Sequence, residues 1–239
     1  MRNVGTVTRR ELTAQFYSPI AYVVIAIFLV VSGIFFLTSD FRPGAESSVR
    51  ALFGGYMPLI LVFMLPMLTM RVLSEEFRSG TIETLMTAPV NDVDVVLGKF
   101  FGSLLFFGLM LVTTLIYPVL VAMYGPLDLG MAVCSYLGMA LVGALFIAVG
   151  VFFSACTSNQ VIAVVCSFVL LAIFTFLAEY LGSTTEGTLR VVLQQLAVMS
   201  HYQDFTRGLI DTNHVVYFVT TTGVFLFLAI KVLEFRRWR

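Results

Sequence analysis

The residues most able to bind a partner lie over 71–99, where eight charged side chains separate two uncharged stretches. Gly80 is placed to end a helix there, because glycine readily adopts the left-handed C-cap conformation. A short amphipathic helix is predicted over 81–87, with Pro89 preventing its continuation and with three apolar side chains on one face: Ile82, Leu85 and Met86. Asn91 resembles the N-cap of the next helix. The pattern fits either a docking surface for a partner or a solvated hairpin between two spans.

Residues suited to catalysis or metal binding are sparse. The two histidines, His201 and His214, are thirteen positions apart and have no Cys or carboxylate at ligand spacing. Asp204 and Asp211, close to them in sequence, are interpreted as ordinary interfacial residues. The three cysteines are scattered through apolar sequence and are predicted to be small buried residues: Cys134, Cys156 and Cys166. With no HExxH motif and no GxxxxGK[ST] phosphate loop, we expect the chain to be no enzyme and to hold no ATP, metal or cofactor itself.

The composition is that of a membrane protein. Hydrophobic residues make up 59% of the 239 positions and charged residues only 12%, and the mean hydropathy is +0.97. A spanning helix needs about 20 mostly apolar residues. Six uncharged stretches meet or approach that length: 19–38, 51–70, 101–125, 129–153, 161–178 and 215–230. We predict an all-α integral membrane protein with six transmembrane helices, forming one domain over 1–239.

The distribution of Lys and Arg predicts an orientation. Ten of the fourteen basic residues lie before span 1, between spans 2 and 3 and after span 6, whereas four lie in the connections on the other side. Basic residues favour the cytoplasmic side of a membrane. Both termini and the connection over 71–99 are therefore predicted to be cytoplasmic. Because fourteen acidic residues balance the basic ones, no basic excess favours nucleic acid as a partner.

Residues 1–18 are predicted to form an interfacial helix. Arg2, Arg9 and Arg10 cluster on one side, and four apolar side chains share a broad face: Val4, Val7, Leu12 and Phe16. Glu11 and Gln15 interrupt that apolar face. The alternative interpretation is a frayed basic leader that only sets the topology.

The connection over 179–214 is predicted to contain two short amphipathic helices outside the membrane. Its apolar residues recur at near-helical spacing: Leu189, Val192, Leu193, Leu196 and Met199, followed by Tyr202, Phe205 and Leu209. Gly208 is the expected terminator of the second helix. An apolar face on each helix predicts that both rest on or dip into the outer leaflet. There they would either cap an exit path or seal the bundle.

The segment from Glu75 to Phe100, EEFRSGTIETLMTAPVNDVDVVLGKF, closely resembles the pattern EE-x-R-x-G-T-[IL]-E-x-L-[LM]-x-x-P-[VI] … GK of ABC-2-type transporter permeases. Six spans, a basic N-terminal helix and a long connection before the last span extend the resemblance over the whole chain. Within the family, the N-terminal segment and the tail HYQDFTRGLID … VLEFRRWR are most similar to the gliding-motility-type permease GldF. NosY, a permease of nitrous oxide reductase maturation, is the second resemblance.

The resemblance implies an exporter subunit in a bacterial cytoplasmic (inner) membrane. The chain would pair with an identical or homologous second permease and with a cytoplasmic ABC ATPase dimer, which binds ATP and Mg²⁺. By position, the ATPase-coupling residues would be Glu75, Glu76, Arg78, Gly80, Thr81, Ile82, Glu83, Leu85, Met86 and Pro89. A second, smaller contact would lie at Thr157, Ser158 and Asn159. The N-terminal helix would also touch the ATPase, and the outer helices would form a re-entrant pair below the exit.

The charged coupling residues Glu75, Glu76 and Arg78 are expected to be mostly solvated. A competing hypothesis is a membrane scaffold that docks a cytoplasmic partner without transporting anything, and a passive channel is a third. The absence of charge from the six apolar stretches argues against a proton-coupled carrier. No span shows a clear GxxxG-type face that would decide how two permeases pair.

Overall fold

The computed structural model of the chain describes residues 2–39, 52–80, 91–125 and 127–237, and this part contains helices and no strand. Six of its helical segments are long and apolar enough to cross a membrane. They are span 1 (Ala21–Ser39), span 2 (Leu52–Ser79), span 3 (Asp92–Met123), span 4 (Leu129–Cys156), span 5 (Gln160–Thr184) and span 6 (Thr212–Arg236). The chain is therefore an all-α integral membrane protein, and the predicted six spans are confirmed.

Within the described part, the helices run in the following order: α1 (Arg2–Tyr17), α2 (Pro19–Ser39), α3 (Met57–Thr69), α4 (Ser74–Ser79), α5 (Asp92–Thr113), α6 (Ile116–Tyr124), α7 (Leu129–Cys156), α8 (Gln160–Ala172), α9 (Ala178–Thr184), α10 (Thr188–Leu196), α11 (Val198–Thr206) and α12 (Thr212–Arg237). A π-helical turn over Leu52–Tyr56 precedes α3, and another over Ile173–Leu177 joins α8 to α9. We call the end of the bundle that carries both termini the basal end, and the end that carries α10 and α11 the distal end.

Helix α7 lies at the centre of the bundle and packs against spans 2, 3 and 6. Two of its glycines let neighbouring helices approach closely. A Cβ atom at Gly143 would lie 2.0 Å from Phe107 Cε1, and one at Gly150 would lie 1.9 Å from Thr69 Oγ1. The neighbouring spans are thus arranged around one tightly packed central helix.

Span 3 is interrupted where a proline predicts it. Pro118 has no N–H to donate and its ring would clash with the carbonyl of Thr114 in a continuous helix. The helix accordingly breaks at Thr114 and Leu115, between α5 and α6. The Thr114 hydroxyl bonds to the Leu111 carbonyl at 2.7 Å and lies 3.0 Å from the Tyr136 hydroxyl of α7, so the polar groups at the break have partners.

Helix α1 docks lengthwise on the basal half of α5. A Cβ at Gly98 would lie 2.6 Å from Val7 Cβ, and a Cβ at Gly102 would lie 2.8 Å from Glu11 Cβ. The two glycines form a GxxxG spacing at the basal start of span 3, and Gly98 lies before the apolar stretch predicted for that span. The use of this spacing is internal, because it brings α1 against span 3 within the same chain.

The polar residues of α1 that seemed to interrupt its apolar face are part of this contact. Gln15 Nε2 donates to Ser103 Oγ at 3.0 Å, and Glu11 pairs with a buried lysine described below. Leu12 packs against the core, and the Phe16 ring meets the Phe106 ring edge to face at 5.4 Å. Arg9 and Arg10 remain exposed. The docked face of α1 is therefore half polar.

Candidate functional site

The basal end of span 2 bends into α4 around a single serine of span 4. Ser154 Oγ accepts hydrogen bonds from the backbone N–H groups of Leu73 and Ser74, both at 3.0 Å, and donates to the Met70 carbonyl at 3.1 Å. A hydroxyl has one donor and two acceptor positions, so all of them are used. Ser154 is fully buried, and it holds the first turn of α4 against α7.

We expect Ser154→Ala to lower the free energy of unfolding by about 1–3 kcal/mol, because two buried N–H groups lose their acceptor. Ser167→Ala is the matched control, since the buried Ser167 hydroxyl bonds to the carbonyl of Ala163 in its own helix, which keeps its backbone partner. The measurement is unfolding in mixed detergent micelles. Equal stability of the two variants would contradict the role given to Ser154.

The second anchor of α4 is Lys99 of α5, whose side chain is only 3% exposed. Its ammonium lies 2.9 Å from Glu76 Oε1 and 3.1 Å from Glu11 Oε2, and it also donates to the Val72 carbonyl. Arg10 Nη2 reaches Glu76 Oε1 at 3.3 Å from the solvent side. We call these four side chains, Lys99, Glu11, Glu76 and Arg10, the Lys99 cluster. All three ammonium protons have acceptors, and α1, α4 and α5 are tied together at one point.

The Lys99 cluster joins the two helices that flank the segment singled out by the sequence. Helix α4 ends at Gly80, which has φ of 72°, and α5 begins at Asp92 after an extended Asn91. Because Glu76 belongs to α4 and Lys99 to α5, their ion pair joins the two ends of the loop. Asn91 is the N-cap residue of α5, as predicted, although its side chain makes no cap hydrogen bond. The loop residues themselves lie outside the described part of the chain: Thr81, Ile82, Glu83, Leu85, Met86 and Pro89.

The charged residues of α4 divide into inward-facing and outward-facing groups. Glu75 and Arg78 are exposed, as expected, and Glu75 is 4.0 Å from Arg71. Glu76 has a side chain only 14% exposed and two cationic partners within the chain, so the expectation that it is mostly solvated is wrong. Only Glu75 and Arg78 of these three present their charges to an external partner.

The opposite side of α4 meets the C-terminal helix and the turn between spans 4 and 5. The Arg236 guanidinium lies 4.4 Å from the centre of the Phe77 ring and also donates to the Cys156 carbonyl. In the turn that follows, the Asn159 side chain caps α8 by accepting from the Val161 N–H at 2.9 Å, and the Thr157 hydroxyl accepts from the Asn159 N–H at 3.1 Å. Ser158 and Asn159 are exposed, so this turn and α4 form one basal surface.

Cys156, predicted to be buried, is exposed at this surface, because it is the last residue of α7. Cys134 and Cys166 are half-buried. All three thiols are free.

A family model described as "ABC-2 family transporter protein" matches residues 38–233, which is most of the chain. The chain belongs to the ABC-2 transporter family. No curated protein matches it closely enough to add to that finding. An ABC-2 permease is the membrane component of an ABC transporter and relies on a separate cytoplasmic ATPase, so the family implies that partner.

At the distal end of the permease, α10 and α11 differ in burial. Helix α11 inserts against span 4, with Tyr202 and Phe205 fully buried and in contact with Gly138. The Tyr202 hydroxyl donates to the Phe53 carbonyl at 2.9 Å. In α10 and the segment after α11, the predicted residues are more accessible: Leu193 is half-buried, Leu196 is exposed, and Gly208 ends the segment with φ of 80°. Helix α11 is therefore part of the bundle, whereas α10 covers its edge.

The two histidines, thirteen positions apart in sequence, form one hydrogen-bonded chain at this end. His201 Nδ1 and His214 Nδ1 are 2.8 Å apart, His214 Nε2 is 2.9 Å from Asp204 Oδ2, and His201 Nε2 is 3.0 Å from the Gln195 carbonyl. A carbonyl only accepts, so His201 donates through Nε2 and accepts at Nδ1. The Asp204 carboxylate likewise only accepts, so His214 Nε2 is the donor in that contact. The chain links α11 to span 6, and Asp204, predicted to be an interfacial residue and not a metal ligand, is the carboxylate partner of His214.

Acidification should loosen this link. Burial, partly opposed by the hydrogen bond to the Gln195 carbonyl, lowers the pKa of His201 below its ordinary 6.5. The folded state therefore binds fewer protons at this residue than the unfolded state, and its contribution to stability is lost as pH falls below about 6.5. Asp204 and its neighbour Arg207, 3.4 Å away, are the other charges close to the pair.

The test compares the thermal unfolding of the native chain with that of His201→Gln at pH 7.5 and pH 5.5. We expect the native chain to lose more stability on acidification than the variant, because glutamine does not titrate. The difference between the two losses of stability reports the titration of His201, because the carboxylates titrate in both proteins. An identical pH slope would contradict the assignment.

Several residues of the basal site were not found from the sequence, namely Glu11, Lys99, Ser154 and Arg236. A signal existed for the first two, because Gly98 and Gly102 flank Lys99 at the spacing of a close helix contact. A lysine in that position faces the helix that docks there. No local pattern marks Ser154, whose partners lie about 80 positions away in the chain.

Proposed function

We propose that this permease is an exporter subunit whose α4 and following loop receive the motion of a separate ABC ATPase dimer. The chain would lie in the cytoplasmic (inner) membrane of a bacterium, with its basal end facing the cytoplasm. A second permease, identical or homologous, would complete the transporter. Ten of the fourteen basic residues flank the predicted apolar stretches on the side of the two termini in sequence, which supports this orientation. ATP and Mg²⁺ would bind to the ATPase alone.

The observation that carries the proposal is the Lys99 cluster. A force applied to α4 passes through the Glu76 carboxylate to Lys99 in span 3, and from Lys99 through Glu11 to α1. These contacts are short and mostly shielded from water, so they are screened little by salt. On the other side, Arg236 connects α4 to span 6. A displacement of the six-residue helix α4 would therefore also move span 3, α1 and span 6.

The binding energy for the ATPase should come mainly from the apolar side chains of the loop. Exposed charges such as Glu75 and Arg78 contribute about 0–1 kcal/mol each in an ion pair. Ile82, Leu85 and Met86 have the spacing of a helix that lays its apolar face into a groove. The turn at Thr157, Ser158 and Asn159 would make the smaller contact beside it.

The test is co-purification of the chain with the ATPase encoded beside it, followed by ATP hydrolysis in nanodiscs. We expect a stable complex, and we expect Leu85→Asp to weaken ATPase binding about thirtyfold, the effect of losing one interface anchor of ~2 kcal/mol. Leu189→Asp is the matched control, because Leu189 is 66% exposed and lies on α10 at the distal end. Membrane insertion should be normal in both variants.

The outcomes separate a transporter from a scaffold. A complex that forms with the native chain and with Leu189→Asp, but not with Leu85→Asp, supports coupling through the loop. Normal binding and transport by Leu85→Asp would contradict the proposal. If no ATPase binds and hydrolysis never changes, the chain is a scaffold that docks some other partner.

Within the family, we propose the gliding-motility type represented by GldF, on the strength of the N-terminal and C-terminal segments quoted above. NosY-like permeases are the alternative subclass. A deletion strain distinguishes them, because loss of surface motility favours the first and loss of nitrous oxide reductase maturation favours the second.

A further inference from the structure

A cavity of about 490 Å³ opens at the basal end between α1, span 1 and span 2. One part of its wall is apolar and belongs to the two spans: Ala21, Val24, Met67 and Leu68. The other part is polar and comes from α1 and the start of α4, with Arg10, Gln15, Arg71 and Glu76 among its side chains. The cavity therefore joins an apolar wall, formed by two membrane-spanning helices, to a polar wall. Its shape and position suit an amphiphile.

The charges around the cavity point to a ligand without net charge. Three cationic side chains line it together with three carboxylates: Arg10, Arg71 and Lys99, and Glu11, Glu75 and Glu76. A ligand with a net negative charge would meet three carboxylates, and one with a net positive charge would meet three cations. A headgroup that carries both signs can pair with each set.

Three buried polar atoms on residues of the wall have no hydrogen-bond partner within the described part of the chain, and they indicate which groups the ligand offers. Gln15 Oε1 and Glu76 Oε2 are acceptors, and Arg71 Nε is a donor. Buried polar atoms without partners are rare in folded proteins and call for an explanation such as a bound molecule. Two acceptors without hydrogen bonds require N–H or O–H donors in the ligand. The Arg71 N–H requires an acceptor oxygen, because its ion-pair partner Glu75 Oε2 is 4.0 Å away, beyond hydrogen-bond distance.

We propose that the cavity binds a zwitterionic amphiphile whose headgroup carries a primary ammonium and a phosphate, as in a phosphatidylethanolamine of the adjoining leaflet. The ammonium would donate to Gln15 Oε1 and Glu76 Oε2, and a phosphate oxygen would accept from Arg71 Nε. Choline lipids have no N–H to donate, and glycerol lipids have no cation. The site therefore discriminates among headgroups, and it does so whether or not α4 couples to an ATPase.

The experiment uses the full chain in nanodiscs that contain a trace of phospholipid with a diazirine on the acyl chain next to the headgroup. Three probes share that chain and differ in headgroup: phosphatidylethanolamine, phosphatidylcholine and phosphatidylglycerol. After illumination, we expect the ethanolamine probe to label peptides covering 10–24 and 67–76 about tenfold more than either of the others, the ratio that corresponds to one headgroup interaction. Equal labelling by all three probes would show only annular lipid and would overturn the proposal.

Arg71→Met removes the Nε donor while keeping the length of the side chain, and we expect it to reduce ethanolamine labelling about tenfold. Gln15→Met is the second variant, and Arg190→Met, at an exposed position of α10, is the matched control. Size-exclusion profiles and circular dichroism establish that each variant is folded. Unchanged labelling in folded Arg71→Met and Gln15→Met, or an equal loss in Arg190→Met, would overturn the assignment.

The same chemistry could come from a resident lipid or from cargo, and a last arm distinguishes them. With the ATPase and ATP present, labelling that falls during turnover identifies a transported amphiphile, and labelling that stays constant identifies a resident lipid. Either result requires that the amphiphile binds in the cavity. The proposal is therefore overturned by the headgroup comparison or by the variants, and not by this last arm.

Discussion

Replacing Lys99 with methionine should lower the free energy of unfolding by about 3–5 kcal/mol, the usual cost of removing one partner from a buried ion pair. Glu11 and Glu76, whose side chains are each 14% exposed, would lose the buried cation between them, and the Val72 carbonyl would lose its donor. Arg10 still reaches Glu76 from the solvent side, but it cannot replace a cation that lies between the two carboxylates. The measurement is unfolding in mixed micelles with rising dodecyl sulfate.

Two further variants make this prediction specific. Lys231→Met removes a lysine from an exposed pair with Glu234, 2.7 Å away, and should cost about 0–1 kcal/mol. The triple variant Lys99→Met, Glu11→Gln and Glu76→Gln should recover most of the lost stability, because no unpaired charge is left buried. Equal stability of Lys99→Met and Lys231→Met would contradict the account of the cluster.

The spans could be predicted from the sequence because their signal is local. An apolar stretch of about 20 residues crosses lipid as a helix, because a helix forms all its backbone hydrogen bonds within the segment. The break near Pro118 follows from the same local chemistry, since the missing N–H and the ring clash act within one turn. Gly80 likewise ends α4 in the left-handed conformation that its sequence position suggests.

The basal site could be predicted only in part, because its contacts join residues that are distant in the chain. Glu11 and Lys99 are 88 positions apart, and the pairing of their helices determines that they meet. Read alone, Glu11 interrupts an apolar face and Lys99 belongs to a solvated loop. Read as a docked pair, Glu11 is the counter-ion of a lysine that starts inside span 3. The local sequence suggests that both charges are solvent-exposed, because it does not show which helix packs over them.

The same reasoning applies to the distal histidines. Spacing along one chain segment argues against a shared site, because thirteen residues match no ligand motif. The fold turns the chain back at Gly208, whose positive φ lets α12 return beside α11, and this brings the two rings together. The turn at Gly208 therefore brings together two histidines whose sequence spacing does not indicate a shared site.

Replacing Gly98 with leucine should release α1 from span 3 while the six spans stay folded. A Cβ at this position would lie 2.6 Å from Val7 Cβ and 3.2 Å from the Val4 carbonyl oxygen, and the α1 backbone cannot yield without moving the whole helix. Released α1 would expose the peptide bonds after Arg9 and Arg10. We expect trypsin to cleave there about tenfold faster than in the native chain, since cleavage follows the population of the open form.

Gly108→Leu is the matched control, because it makes the same change in the same helix where a Cβ would meet nothing within 4 Å. We expect its cleavage rate to equal that of the native chain. Undocking also separates Glu11 from Lys99, so Gly98→Leu should lose part of the stability that Lys99→Met loses, and the two changes should not be additive when combined. Additive effects, or equal cleavage of Gly98→Leu and Gly108→Leu, would contradict a docking interface that holds α1 and the Lys99 cluster as one unit.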